Sequence, residues 1–367
     1  MKRKLIIWLL TFVLTFCNIS LFACNGGGNN GDNGETETPL YTFGVLSDIH
    51  LKDTKFTHTD GMDYNSLEKY KTALTFYNNN NVDFISVAGD VVANSRALDS
   101  GKDQNALEEW ASELQLFRQY SDAYSTKPVY AITGNHDAGP YGYNIPPNTL
   151  DVKIPQAVYG DGTKTAGEVW TEITGNELNY VIQKGDDVFI YFSMYIYNYV
   201  NFCKDESMVW LANQLETYSD KRVFLFFHLP YGKNLELHDG LIALDKYGNS
   251  TAKQFVQLST QYPNVIWFSG HSHIDLKYET IHENANIYQN ENSFTMVHVP
   301  ACAYLREFED ETLTKTTKNY QGSQGLLVKV YENKVIIKGI DFTKGTNGEF
   351  ISYINFVINT PLSTEES

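Results

Sequence analysis

The chain has 367 residues, 42% hydrophobic and 14% aromatic, enough to bury a core in one large α/β domain or two smaller ones, which excludes disorder over most of its length. Its formal net charge of −16 excludes an extended nucleic-acid surface, because such binding is driven by Lys and Arg displacing counterions from phosphates. An anionic ligand must therefore be held locally, by metal ions for example.

At the N-terminus, Lys2, Arg3 and Lys4 precede the apolar run Leu5–Phe16 and the small-residue stretch Leu21–Cys24. A positive region, an apolar region and a small-residue site describe an export signal, too short and wrongly flanked for a membrane span. Leu21-Phe22-Ala23-Cys24 resembles the bacterial lipobox. That resemblance implies that residues 1–23 are a signal peptide, that Cys24 is lipidated, and that the chain is exported and anchored to a membrane at the cell envelope or surface. An ordinary signal peptide or an uncleaved anchor with an incidental Cys is the alternative. Residues 24–39 are rich in Gly, Asn and acidic side chains and read as a flexible tether. Cys17 falls in the signal. Cys203 and Cys302 are left, as a disulfide or as two buried thiols.

Strand and helix signals then alternate. Tyr41–Leu46 reads as a strand, and Ser66–Asn78 as a helix with Leu67, Tyr70, Leu74 and Tyr77 on one face and Ser66 as N-cap. Val82–Asp90 is a buried strand ending on Gly89 and a carboxylate that cannot belong to the core. Asp103–Tyr120 places Leu107, Trp110, Leu114 and Phe117 at helical spacing, and Val129–Thr133 is the next strand. This order predicts a mainly parallel sheet with helices on its faces. From Ala138 to Gly175 periodicity is lost among Pro140, Pro146, Pro147 and Pro155, which predicts a loop over the site.

Leu178–Gln183 and Val188–Met194 form a hairpin pattern, Ser207–Tyr218 a helix, and Val223–Phe227 and Val265–Ser269 further strands. Phe294–Val299, Gly325–Glu332, Val335–Phe342 and Ile351–Ile358 are strand-like, with no helix pattern after about Tyr262. The last third is therefore expected to be largely antiparallel and to complete a second sheet. Residues 40–360 read as one domain and 361–367 as a disordered tail.

Five strand signals run into polar clusters: Asp48 and His50; Asp90; Asn135, His136 and Asp137; His228; His271 and His273. Loops at the carboxyl ends of strands in an α/β sheet converge on one edge, so these side chains can meet. Singly, each has a blander reading as a core histidine, a turn aspartate or a helix cap. Together they make an oxygen and nitrogen donor set, without Cys, that suits Zn, Mn, Fe or similar ions.

Asp48-Ile49-His50, Gly89-Asp90, Gly134-Asn135-His136-Asp137, His228-Leu229-Pro230 and Gly270-His271-Ser272-His273 resemble the five signature blocks of the calcineurin-like metallophosphoesterase family. The resemblance implies a four-layer α/β/β/α sandwich of two mixed sheets with a binuclear centre at the carboxyl ends of the strands. Carried over, Asp48, His50 and His273 hold one ion, Asn135, His228 and His271 the other, and Asp90 bridges them. His136 is implied to act beside the leaving group rather than as a ligand. Asp137 either orients His136 or caps a helix. Purple acid phosphatases place a Tyr ligand where this chain has Ala93, so their chromophore is not expected. His58, His238, His282 and His298 match no block and read as structural.

The reading is thus a lipid-anchored phosphoesterase with two divalent or trivalent ions (Mn, Fe or Zn). It hydrolyses phosphomonoesters or phosphodiesters by attack of metal-bound hydroxide. The rivals are a catalytically inactive, metal-containing surface binding lipoprotein and a closed structural metal site. Substrate choice is assigned to Ala138–Gly175 and Tyr231–Ser250. The substrate itself and the oligomeric state are left open.

Overall fold

The computed structural model describes residues 37–56, 65–93, 106–138, 149–196, 198, 200–230, 250–280, 286–289, 293–309 and 316–360. The expected signal peptide, Cys24, the tether up to residue 36, the tail, the segments 139–148 and 231–249, and His58, His238 and His282 lie outside the described residues. The chain divides into two units, Met1–Thr38 and Pro39–Ser367, and all strands and helices among the described residues belong to the second.

In chain order the elements begin with β1 (Tyr41–Leu46), α1 (Ser66–Asn79), β2 (Phe84–Val87), α2 (Ala106–Tyr124), β3 (Val129–Ala131) and α3 (Asn135–Ala138). Then come α4 (Ala166–Thr174), β4 (Asn179–Lys184), β5 (Asp187–Phe192), α5 (Asp205–Thr217), β6 (Val223–Phe226), α6 (Thr251–Ser259) and β7 (Val265–Ser269). The strands β8 (Ile287–Tyr288), β9 (Thr295–His298), β10 (Leu305–Phe308), β11 (Thr316–Asn319), β12 (Gln324–Val330), β13 (Lys334–Asp341) and β14 (Glu349–Asn359) complete the chain.

Two six-stranded mixed sheets result, ordered β14-β13-β12-β1-β2-β3 and β4-β5-β6-β7-β9-β8. As expected, β1, β2 and β3 are parallel and joined through helices. The antiparallel strands β12, β13 and β14 do not complete the second sheet, however. They extend the first one beyond β1, while β9 enters the second sheet parallel to β7. Two short strands, β10 and β11, form a separate hairpin.

The sheets pack face to face through aromatic rings that alternate along each strand. Phe43 stacks on Phe84 at 5.1 Å and meets Phe189 and Phe224 of the other sheet edge-on at 5.5 and 5.4 Å. Helices cover the outer faces. Tyr77 of α1 lies against Gly44 so closely that a Cβ there would be 2.6 Å from the ring, which accounts for a glycine inside a buried strand. On the second sheet Phe255 of α6 packs on Phe227 and Trp267 at 4.7 and 4.9 Å. The architecture is the expected α/β/β/α sandwich.

Two local expectations are corrected and one unread helix is added. Ser66 is not the N-cap of α1: Asn65 is, with φ 54°, and the Ser66 hydroxyl accepts from Lys52 N–H at 3.1 Å. The stretch read as aperiodic contains α4, closed by a capping box in which Thr165 Oγ1 accepts from Glu168 N–H and Glu168 Oε2 from Thr165 N–H. A further helix, α6, starts at the Ser250 cap, whose hydroxyl accepts from Lys253 N–H at 3.2 Å. Of the two readings for the cysteines, Cys203 and Cys302 take the second: both are buried free thiols, pushed up by burial to about 12 and about 11.

Candidate metal centre

The parallel strands end at one edge, and the loops beyond β1, β2, β3, β6 and β7 carry all five polar clusters. Seven non-glycine residues among those described have positive φ. Five of them are Asp48 (51°), His50 (45°), Asp90 (52°), His271 (73°) and His273 (61°). Such backbone costs on the order of 1 kcal/mol per residue, so its concentration here marks a site that the surrounding fold holds in place. The left-handed steps also separate residues that a straight strand would align: His271 joins one group of side chains and His273 another.

The loops leave no space between them. A Cβ at Gly270 would lie 2.6 Å from Asp48 Oδ2, and one at Gly89 2.7 Å from His228 Nδ1. Asp48 N–H donates to the Gly89 carbonyl at 3.0 Å and His50 N–H to the Asp90 carbonyl at 3.1 Å. Asp48 Oδ2 in turn accepts from His271 N–H at 2.9 Å, and Asp90 Oδ1 from His136 N–H at 2.8 Å.

All seven candidate ligands converge. Donor atoms of Asp48, His50 and His273 lie within 4.8 Å of one another, as do those of Asp90, His228 and His271, and those of His50, Asp90 and His136. Asp90 Oδ2 is 3.7 Å from His50 Nε2 and 3.2 Å from His228 Nε2, so it stands between the first two groups. Asn135 Oδ1 belongs with the second, 3.2 Å from His228 Nε2 and 2.8 Å from His271 Nδ1.

Backbone carbonyls fix the rings. His228 Nδ1–H donates to Ala88 O at 2.8 Å, His273 Nδ1–H to Tyr304 O at 3.0 Å, and His136 Nδ1–H to Ala93 O at 2.9 Å. Each ring therefore presents Nε2 to the centre. For His273 that nitrogen, an acceptor in the neutral ring, is 3.0 Å from Asp48 Oδ1 and 3.1 Å from His50 Nε2. Asp48 Oδ1 is fully buried and receives no well-aligned hydrogen bond despite that proximity. A buried carboxylate oxygen beside two imidazole nitrogens is a donor set that a cation or a proton can bridge. The residues present thus fit divalent ions.

The charges agree. Burial alone would raise Asp48 and Asp90, yet His273 beside the first and His228 beside the second hold both below the usual carboxylate range. Against the effect of burial, Asp90 raises His228 to about 9. Burial and the neighbouring His228 bring His271 down to about 3.

Of its two expected roles Asp137 takes the cap, at the start of α3 through the Gly134 N–H. Its carboxylate accepts from Val91, Val92 and Gly134 N–H groups at 2.8–3.1 Å and so locks the Asp90 loop to the loop after β3. Burial and the Asp90 charge push it up to about 7. His136 is oriented by the Ala93 carbonyl instead. His298 is buried behind the centre with both ring nitrogens 3.1 Å from Ser272 Oγ, a positioning contact between the two histidines of the last block. Tyr304 carries no signal in the sequence. Its ring lies 4.3 Å from that of His273 and 5.7 Å from that of His50, and only the topology, not a local pattern, brings it there.

Residues 41–275, more than half of the chain, match the model of the calcineurin-like phosphoesterase family. No curated protein matches the sequence. Among solved structures, a dimetal phosphatase from Danio rerio is similar at TM-score 0.53 and 12% identity, over 88% of this chain and 99% of that one. A purple acid phosphatase from yellow lupin seeds is similar at TM-score 0.55 and 15% identity, over 89% of this chain but 55% of the lupin chain, so this chain spans about half of its length. At these identities the likeness is one of fold.

Proposed function

Because the chain belongs to the calcineurin-like phosphoesterase family and is a metal-dependent phosphoesterase, we propose that it hydrolyses phosphomonoesters or phosphodiesters at a two-ion centre. Asp48, His50 and His273 would hold one ion, Asn135, His228 and His271 the other, with Asp90 between them. The observation that carries this assignment is the buried Asp48 Oδ1, 3.0 Å from His273 Nε2 and 3.7 Å from His50 Nε2 and without a well-aligned hydrogen bond of its own. Two cations held there would supply a water of lowered pKa and charge neutralisation at the phosphoryl oxygens. The donor set accepts Mn, Fe or Zn, and with Ala93 in place of the Tyr ligand of purple acid phosphatases their purple chromophore is not expected.

His136, held through Nδ1–H by the Ala93 carbonyl, keeps Nε2 on the Asp90 side, 3.9 Å from Oδ2, where it can deliver a proton to the departing alkoxide. In the same reading the chain is exported and anchored by lipid on Cys24, with residues 24–39 as spacer. The charged, apolar and small-residue order of residues 1–24 supports this. A Cys24→Ala chain recovered from the membrane fraction as fully as the wild type counts against the anchor.

The chain loaded with Mn or Zn is expected to hydrolyse aryl phosphate monoesters or diesters and to stop when chelated. No hydrolysis under any loading overturns the reading. His136→Ala should keep both ions while turnover drops by roughly 10²–10⁴-fold, measured as metal stoichiometry beside kcat.

A further inference from the structure

The β10–β11 hairpin is stitched to the last ligand loop: Arg306 N–H donates to the His273 carbonyl at 2.7 Å and Asp275 N–H to the Arg306 carbonyl at 3.3 Å. Within the hairpin Arg306 pairs directly with Lys318, so two cations share one face. Like charges opposed across a ladder destabilise it. Glu307 lies on the other face, where Lys277 Nζ at 2.9 Å and Asn319 Nδ2 at 2.6 Å engage it. From the Arg306 face Lys318 Nζ reaches over the Tyr304 ring at 4.8 Å, and Tyr304 in turn lies against His273 and His50. An exposed lysine thus stands one aromatic ring away from the centre, with a half-buried arginine directly opposite it in the ladder, in a chain whose net charge is −16.

We propose that Arg306 and Lys318 bind a second anionic group of the substrate, a phosphate or carboxylate carried elsewhere on the ester whose phosphate enters the two-ion centre. This rests on the phosphoesterase reading and narrows its substrate class to esters with two anionic groups. Tyr304 is the wall between the two sites. An anion held by a charge pair takes hydrogen bonds as well as charge, so the pair acts as a selector for the doubly anionic ester.

The test uses the metal-loaded chain and three esters: phenyl phosphate, carboxyphenyl phosphate and phenylene bisphosphate. The wild type should favour the two doubly anionic esters in kcat/KM. In R306Q/K318Q, with metal content confirmed, that preference should shrink by roughly tenfold or more, the loss expected for hydrogen bonds to charged groups. Whichever of carboxylate and phosphate is favoured identifies the group. No preference in the wild type, or one retained by the variant, overturns the proposal. Calorimetry with the non-hydrolysable carboxyphenyl phosphonate and phenyl phosphonate gives a readout free of turnover. If no ester is cleaved, the phosphoesterase reading fails, and the affinity ratio of the two phosphonates still decides for or against the cation pair.

Discussion

The two edges of the sandwich bury similar groups and treat them in opposite ways. At the amino edge, where β1, β5 and β6 begin, Arg222 Nε and Nη2 donate to the two oxygens of Asp187 at 2.7 Å, and Tyr41 Oη–H donates to Asp187 Oδ2 at 2.5 Å. Arg222 Nη1 reaches the Tyr331 carbonyl at 2.8 Å and Thr360 Oγ1 at 2.9 Å, which ties the second sheet to the first. Charges of both signs are met in bidentate geometry there. At the carboxyl edge the acids are as deeply buried, but they face imidazole nitrogens, several of them on left-handed backbone, instead of a guanidinium. Burial of charge is common to both edges. The exchange of a permanent cation for rings that can give up a proton to a metal ion is what distinguishes a binding centre from a clamp.

Three experiments test this contrast. Asp90→Asn alters the one carboxylate between both groups of ligands. It should weaken both ions and lower turnover by at least about a thousandfold, matching the several kcal/mol that metal ions contribute to phosphoryl transfer. A variant with two tight ions and full activity would sink the bridging assignment. Arg222→Met strips the clamp and leaves the buried Asp187 charge with only the Tyr41 hydroxyl, at a cost of about 3–5 kcal/mol in urea unfolding, and Asp187→Leu in the same chain should recover most of it. An Arg222→Met chain of wild-type stability would show that the clamp does not hold the sheets. The smallest effect is in chelated protein, where Asp48→Asn removes the charge that His273 keeps ionised, so stability should fall by about 1 kcal/mol while activity is lost. Unchanged stability would mean that Asp48 gains nothing from the histidines without a cation.

Much of this was legible because each strand is a short apolar run that ends abruptly in polar residues. Val265–Ser269 before His271 and Val223–Phe226 before His228 are examples. Spacing places those side chains at strand ends, and the family resemblance groups them. What was not legible is carried by backbone or by distant chain. The carbonyls of Ala88, Ala93 and Tyr304, which set the histidine tautomers, have no side-chain signature. The left-handed φ of Asp48 goes with its packing against Gly270 and its hydrogen bond to Gly89 rather than with local propensity. For α4 the Thr165-x-x-Glu168 box was the available signal, hidden among prolines and glycines. The pairing of β9 with β7 in parallel could not be read from an apolar run that is equally at home in an antiparallel ladder.

The position of β12 beside β1 governs how the centre comes into being. Tyr41 pairs with Val330, so the strand that delivers Asp48 and His50 gains its second neighbour only from the far end of the chain. A polypeptide that has emerged as far as His273 carries every ligand but lacks half of the first sheet. Long-range pairing of this kind makes folding slow. The centre is therefore a late product of biogenesis, assembled only once β12 to β14 have emerged, and a chain truncated before Gln324 is expected to leave Asp48, His50, Asp90 and Asn135 on half a sheet.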